Sequence, residues 1–289
     1  MSRIVVLGDL NLDVHAQAPE RIAAGGEIRS SIRAVPGGSA GTFARVAASE
    51  GAHVTFIGAV GTDRIGDLLI RSLEDHGVET RIVRTDAPSG TILALEQGNE
   101  RTMVCSRGAN DGLTVDALDE AAFREADHLH ISGYAFLSPA QQPVAQRAIA
   151  LTHDRRMTIS VDPPPASLIE AFGVEAFLEA LVDVAWLFPN RTEGELLTNQ
   201  TSVERIVDAL SSWFEVGALT LGPEGALAWS GDSRDRHAAA TPIAGNTTGA
   251  GDAFAGTFVA ARLAGASLAA SNARACAAAA AHITRSRRG

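Results

Sequence analysis

The chain has 289 residues, 24 of them basic and 34 acidic, for a net charge of −10, and every basic residue is an arginine. Without lysine, P-loop chemistry, the strand lysine of protein kinases and Schiff-base or pyridoxal catalysis are excluded, because each needs an amine at the reacting centre. The acidic balance argues against nucleic acid or an anionic membrane as a partner.

In chain order, short β-rich runs alternate with helical ones. Arg3–Gly8, His53–Gly58, His128–Ser132, Met157–Asp162, Val184–Phe188 and Ala218–Leu221 read as buried strands, each followed by a turn and usually a helix-period segment. The alternation predicts a three-layer α/β/α fold with a mostly parallel central sheet. At 46% hydrophobic content, the chain can fill one sizeable core. Glu27–Val35 and Thr91–Cys105 break the rhythm. The second reads as two strands around Gly98-Asn99, residues that tolerate the positive φ of a tight turn. A small β-element standing off the main sheet is expected there, within a single domain over 1–289. After Pro36-Gly37-Gly38-Ser39 an Ala-rich helix runs to about Gly51. Asp252 begins another ending at Gly265, and a last one spans about Ser267–Thr284.

The apolar run Ile4–Leu7 stops at Gly8-Asp9, too short for a signal peptide. The Ala-rich segment 268–283 is broken by Asn272 and Arg274, so no membrane span is expected. Cys105 and Cys276 lie far apart without a CxxC pair, which fits a reducing, cytoplasmic setting. His128-x-His130 points both rings to one face of a strand, a pattern that suits packing or hydrogen bonding better than a metal pair.

The stretch Asn246-Thr247-Thr248-Gly249-Ala250-Gly251-Asp252 carries the most chemistry. Gly249 and Gly251 flank a helix start, where backbone N–H groups and the positive helix end make an anion hole. Asp252 in its rim can accept a proton from an attacking hydroxyl; the same residues also read as a Gly-rich turn with an ordinary N-cap. A dinucleotide fingerprint fits worse, since the third glycine and a preceding strand are missing. Asp13, on a loop after the first strand, offers two acceptor oxygens to vicinal hydroxyls or is a loop-turn Asp. Asn190 and Glu193 follow a buried strand, where polar side chains face the open end of the sheet, or they cap the next helix.

In sequence order the chain shows Gly8-Asp9-Leu10-Asn11-Leu12-Asp13, Gly37-Gly38, Asn190-x-x-Glu193, Thr220-Leu221-Gly222-Pro223-Glu224-Gly225 and Gly249-Ala250-Gly251-Asp252. Together these motifs resemble the ribokinase-like (PfkB-type) carbohydrate kinases over nearly the whole length. The resemblance implies an ATP- and Mg²⁺-dependent kinase phosphorylating a hydroxymethyl group of a small sugar. Asp252 would be the base, with Gly249, Ala250 and Gly251 shaping the anion hole. Asn190 and Glu193 would organise Mg²⁺ and the phosphates through water, while Thr220, Gly222, Gly225 and Cys276 line the nucleotide. Asn11, Asp13, Gly37, Gly38 and Thr42 would face the sugar. The stand-off strands, about 12–35 and 88–107, become the family's lid, which often pairs two subunits into a homodimer.

Three residues depart from the family pattern. Thr42 stands where Asn is usual and removes an amide from the sugar pocket, and Cys276 stands where Asn or His is common near adenine. Asn246 replaces an Asp that supports a monovalent-cation site, so weak K⁺ activation is expected. The turn Asp162-Pro163-Pro164-Pro165-Ala166 resembles ribokinase-type chains and tilts the substrate toward ribose or a similar sugar. The alternatives are a nucleoside kinase, whose base only Phe136 and Tyr134 could stack on, and a sugar-binding protein without catalysis, which the intact Asp252 and glycines oppose. Arg107, after the lid hairpin, reads as a surface arginine.

Overall fold

A computed structural model describes residues 2–18, 25–97, 100–155, 157–239 and 248–288. Among them are thirteen strands: β1 (Arg3–Leu7), β2 (Asn11–Ala18), β3 (Ile32–Gly37), β4 (His53–Gly61), β5 (Glu79–Thr85), β6 (Gly90–Gln97), β7 (Glu100–Ser106), β8 (His128–Ser132), β9 (Thr158–Asp162), β10 (Trp186–Leu187), β11 (Val216–Thr220), β12 (Ala226–Ser230) and β13 (Ser233–His237). Nine of these form one sheet in the order β13-β12-β11-β10-β9-β8-β1-β4-β5. It is parallel from β5 to β11, and β12 and β13 add an antiparallel edge.

Strand alternation divides the core into two layers. Ile4 and Val6 of β1 pack toward Phe43, Ala44, Phe254 and Phe258, on the side of helices Ser39–Ser49 and Ala250–Leu263. Val5 and Leu7 pack the opposite way with Leu129, Ile131, Phe136 and Phe177. A Cβ on Gly256 would lie 2.9 Å from the Phe43 carbonyl, so glycine lets those two helices touch. Three layers result, as the alternation predicts.

His128 and His130 are wholly buried in this packing. His128 meets the Thr158 and Ser160 hydroxyls at 2.6 and 2.7 Å, and His130 meets Ser160 at 2.8 Å. The Phe43 ring stacks on His130 at 3.5 Å. Burial pushes both imidazoles down, His128 to about 3, so the pair is neutral packing with hydrogen bonds.

The other four strands form a separate sheet, β3-β2-β6-β7. It contains the stretches expected to stand off, with β3 displaced toward the C-terminus of the anticipated Glu27–Val35. The turn at Gly98-Asn99 lies outside the described residues. The sheet's faces invert the usual pattern. Asn11, Asp13 and His15 of β2 are buried toward the main body, while Val14, Leu93 and Val104 align across three strands on the outer face. The terminal helix runs Leu268–Arg288, past the expected Thr284. No helix among the described residues is long and apolar enough to cross a membrane.

Candidate active site

The parallel strands all end at one edge, and the polar residues follow them there, where α/β sheets bind ligands. Asp9 and Asn11 follow β1, Ser132 ends β8, Asp162 ends β9, Asn190 follows β10 and Thr220 ends β11.

Helix Ala250–Leu263 begins behind Gly249, which has φ +77°, the left-handed conformation glycine adopts without penalty. A Cβ there would sit 2.8 Å from His282 Nε2, a ring atom that itself meets the Thr248 carbonyl at 3.2 Å. Ala250, Gly251 and Asp252 occupy the first helical turn, whose N–H groups have no acceptor within the helix. Asp252 Oδ1 accepts a 2.6 Å hydrogen bond from the Ser39 hydroxyl at the start of helix Ser39–Ser49. Burial raises the Asp252 carboxyl to about 6, while hydrogen bonds from Asp162 and Ser39 hold it down. A carboxyl raised in this way is more basic than a free one.

Across from it, the Asn11 amide donates to Asp9 Oδ2 at 2.8 Å and its oxygen accepts from Asn110 at 2.8 Å. Asn110 also receives the Leu10 N–H at 2.9 Å, pinning the crossing from β1 to β2. Gly37 leaves room for Asp13, since a Cβ there would lie 2.1 Å from a carboxylate oxygen. Gly38, at φ +86°, would press a Cβ to 2.5 Å from the Asp9 carbonyl. Asp13 is buried; that burial, then the charges of Asp9 and Asp252, push its carboxyl up to about 7 against the pull of Arg45. Arg45 is half-buried, and desolvation lowers it to about 10 while Asp13 and Asp252 oppose the fall. Its guanidinium donates to the Pro36 carbonyl and to the Thr42 and Ser72 hydroxyls. Burial and the charges of Asp9 and Asp252 hold the Tyr134 phenol well above its ordinary range.

On the other flank, Asn190 and Glu193 form a reciprocal capping box on helix Arg191–Thr198. The Glu193 oxygens accept from the Asn190 backbone N–H at 2.8 Å and from its side-chain amide. Burial pushes Glu193 up to about 8, against those bonds. The capping reading is therefore realised, with each Glu193 oxygen accepting one hydrogen bond from Asn190. Thr220 ends β11 beside Asn190, with which it forms a bridge. Gly222 and Gly225 have φ of +58° and +93°, and a Cβ on Gly225 would lie 1.9 Å from the His237 carbonyl. Cys276 is buried behind this turn with its sulfur 4.0 Å from the same carbonyl.

The structure thus gathers Asn11, Asp13, Gly37, Gly38, Thr42 and Asp252 at one end of the edge and Asn190, Glu193, Thr220, Gly222 and Gly225 at the other. Asn246 lies outside the described residues. Phe136 is no base platform: it is buried at 2% exposure and packs edge-on against Phe177. Arg107 pairs with Asp111 at 2.8 Å, as a surface arginine does. Sequence reading missed Asp9, Ser39, Arg45 and Asn110. Only Asp9 carried a signal, a carboxylate at a strand end; Ser39 and Asn110 act through partners 213 and 100 residues away.

Fold and edge define an α/β protein whose strand ends carry a glycine-led helix start, a carboxylate beside it and a cluster of polar side chains. The pfkB family carbohydrate kinase model matches residues 1–288. The chain is 31% identical over 268 residues to the ATP-dependent ribose-1-phosphate kinase of Halopiger xanaduensis, covering 90% of this chain and 84% of that one. It is 26% identical over 270 residues to the ribokinase of Bacillus subtilis, covering 89% and 85%. Its fold matches a ribokinase II candidate from E. coli solved with ATP and Mg²⁺, with a TM-score of 0.87 at 22% identity, covering 99% and 94%. It also matches adenosine kinase from Sinorhizobium meliloti, with a TM-score of 0.87 at 21% identity, covering 98% and 94%. The chain belongs to the PfkB family of carbohydrate kinases and is an ATP-dependent phosphotransferase acting on a sugar hydroxyl.

Proposed function

We propose that the acceptor is a small neutral sugar, ribose or a close relative, phosphorylated on its hydroxymethyl group. The observation that carries this is a pair of buried carboxylate oxygens, Asp9 Oδ1 and Asp13 Oδ1, that have no hydrogen-bond partner among the described residues. Buried acceptors without donors are costly, and sugar hydroxyls are the donors that would satisfy them. The same oxygens repel a phosphate or carboxylate on the acceptor, which sets this pocket against the phosphorylated sugar named for the Halopiger relative. A nucleoside is disfavoured because only Tyr134 remains to meet a base.

Bound ATP supplies the phosphoryl group, and Mg²⁺ neutralises charge on its phosphates. The residues fit both: first-turn amides of Ala250, Gly251 and Asp252 face an anion, Gly222 and Gly225 admit a close backbone approach, and Glu193 with Asn190 would hold water on the metal. Asp252 orients the acceptor hydroxyl and takes its proton, and Asp13 with Asn11 fixes the sugar ring. Catalysis is then positioning and charge stabilisation, which a chain without lysine can supply.

The β3-β2-β6-β7 sheet is proposed as a lid over the sugar, since Asp13 projects from its inner face. Its outer face pairs two copies. Ile32 and Val104 there are 68% and 63% exposed, beside Val14 and Leu93, an apolar patch that water leaves unsatisfied. A cytoplasmic setting fits two free cysteines, Cys105 and Cys276.

The test is phosphoryl transfer from ATP to a panel of ribose, fructose, adenosine, ribose-1-phosphate and 2-dehydro-3-deoxygluconate. The highest kcat/KM is expected for a neutral sugar. A preference for either anionic acceptor would overturn the reading.

A further inference from the structure

Four stretches of backbone join the small sheet to the main body: β1 into β2 through Leu10, β3 out through Gly38, β5 into β6 through Gly90, and β7 out through Arg107. Three of them touch one buried side chain. Asn110, 4% exposed on the short turn Gly108–Gly112, accepts the Leu10 N–H on its amide oxygen at 2.9 Å. Its amide nitrogen donates to the Leu10 carbonyl at 3.2 Å, the Arg107 carbonyl at 3.0 Å and Asn11 Oδ1 at 2.8 Å. A Cβ on Gly90 would lie 2.2 Å from that nitrogen and 2.2 Å from Asn11 Oδ1, so glycine lets the third stretch pass. The fourth leans on the same segment, since a Cβ on Gly38 would lie 3.0 Å from Leu10 Cα and from the Asn11 nitrogen. Two N–H bonds of one amide thus serve three acceptors, so one is shared and can pass between them as the stretches shift. The body side is fixed, because Gln141 Nε2 donates to the Asn110 carbonyl at 2.7 Å.

The same bonds run on toward the acceptor pocket. Asn110 donates to Asn11 Oδ1, which leaves the Asn11 amide N–H to donate to Asp9 Oδ2 at 2.8 Å. Each amide fixes the orientation of the next, and Asp9 Oδ1 is the oxygen left open among the described residues. We propose that Asn110, whose side-chain oxygen and nitrogen are both bonded within the protein, is the positioning residue that couples the small sheet to the acceptor pocket: one amide clasps the chain crossings and sets which atoms of Asn11 and Asp9 face the acceptor. The proposal rests on the reading of that pocket as a sugar site and of the sheet as its lid. A sugar bound to Asp9 and Asp13 holds the sheet against the body through these bonds. Without the amide, the Leu10 N–H and Asn11 Oδ1 each lose a buried partner, and Asn11 is free to turn from Asp9. A reporter is built in. Asp13 lies opposite Ile92, and Ile92 opposite Cys105, so the exposed Cys105 thiol shares the side of the sheet that faces the pocket.

The test combines kinetics on ribose and fructose with labelling of Cys105 by N-ethylmaleimide, read by peptide mass spectrometry. It compares the wild type with Asn110→Ala, Asn11→Ala, the double variant and Gln141→Met. Asn110→Ala should raise the sugar KM about tenfold, with kcat and affinity for a non-hydrolysable ATP analogue within about twofold of the wild type. Because Asn110 acts through Asn11, the double variant should be little worse than the worse single one, whereas independent roles would multiply. Saturating sugar should slow Cys105 labelling several-fold in the wild type and much less in Asn110→Ala. Gln141→Met keeps the bulk and removes only the donor to the Asn110 carbonyl, so the sugar KM should rise a few-fold; if Asn110→Ala does not fold, this variant decides, and an unmoved KM in it overturns the proposal. In folded Asn110→Ala, an unmoved sugar KM, undiminished protection of Cys105 or an equal loss of ATP-analogue affinity would overturn the coupling and leave the acceptor reading standing. Multiplying effects of the two asparagines would do the same. A wild type that phosphorylates neither sugar and gains no protection from either would overturn the acceptor reading and the coupling with it.

Discussion

Asp252 is held by the Ser39 hydroxyl at 2.6 Å, within the field of the half-buried Arg45. Replacing it with Asn preserves shape and the backbone amides and removes the proton acceptor. Asp252→Asn should lower kcat by roughly 10²–10⁴-fold, the usual worth of a positioned general base. ATP affinity, measured by calorimetry, should barely change; a variant with most of its turnover would show that another group takes the proton. Thr42 poses a subtler question. Its hydroxyl is turned toward Arg45 at 3.2 Å, so part of its hydrogen-bonding capacity is spent inside the protein. Thr42→Asn adds an amide that reaches further into the pocket, and a new hydrogen bond is worth about 0.5–1.5 kcal/mol. Sugar KM should shift several-fold with the ATP KM unmoved. An effect on ATP alone would place Thr42 outside the acceptor site.

At the scale of elements, β2 and β3 build the sugar side. Gly37 lies opposite Asn11 in their register, and its missing Cβ leaves room for the Asp13 carboxylate. Gly37→Ala must push Asp13 aside, so sugar KM should rise about tenfold or more while nucleotide affinity stays. The outer face of the same sheet makes a separate prediction. Val104→Glu together with Ile32→Glu should turn a dimer into a monomer by light scattering, since like charges would meet across the interface. Six strands of the main sheet were legible because both their faces are buried and they read as continuous apolar runs. β2 was not, because its buried residues are polar and its exposed ones apolar, the reverse of the usual amphipathic strand. The edge strands β5 and β13 were hidden by their charged residues, as in Arg81, Arg84, Arg234 and Arg236. Gly37, Gly38 and Gly249 were legible as motif glycines, and a side chain at each would collide. Ser39 and Asn110 were not, since their partners Asp252 and Leu10 lie 213 and 100 residues away.

Over the whole molecule, the site stores unfavourable charge, and its cost should appear as a pH dependence of folding. Burial raises Asp13 to about 7 and Glu193 to about 8, and it raises Asp162 above the ordinary carboxylate range. A raised carboxyl binds its proton more tightly in the folded state than in the unfolded chain. Its favourable contribution is complete below the unfolded value near 4 and is lost as pH climbs toward the folded one. For Asp13 that window runs from about pH 4 to about pH 7, and the full effect is on the order of a few kcal/mol. The ligand-free protein should therefore melt at a lower temperature at pH 8 than at pH 5.5. Asp13→Asn removes this charge, so its melting temperature should exceed that of the wild type by several degrees at pH 8, with a smaller gap at pH 5.5. Such a variant gains stability and loses sugar affinity, as expected where function keeps an unsatisfied group in place. Saturating sugar should close the gap, because hydroxyl donors to Asp13 favour its ionised form and stabilise only the protein that binds them. Scanning calorimetry of both proteins at the two pH values, with and without ribose, gives the answer. Parallel melting curves with no pH-dependent gap would mean that Asp13 is ionised in the folded protein without cost, and that its unpartnered oxygen is already solvated.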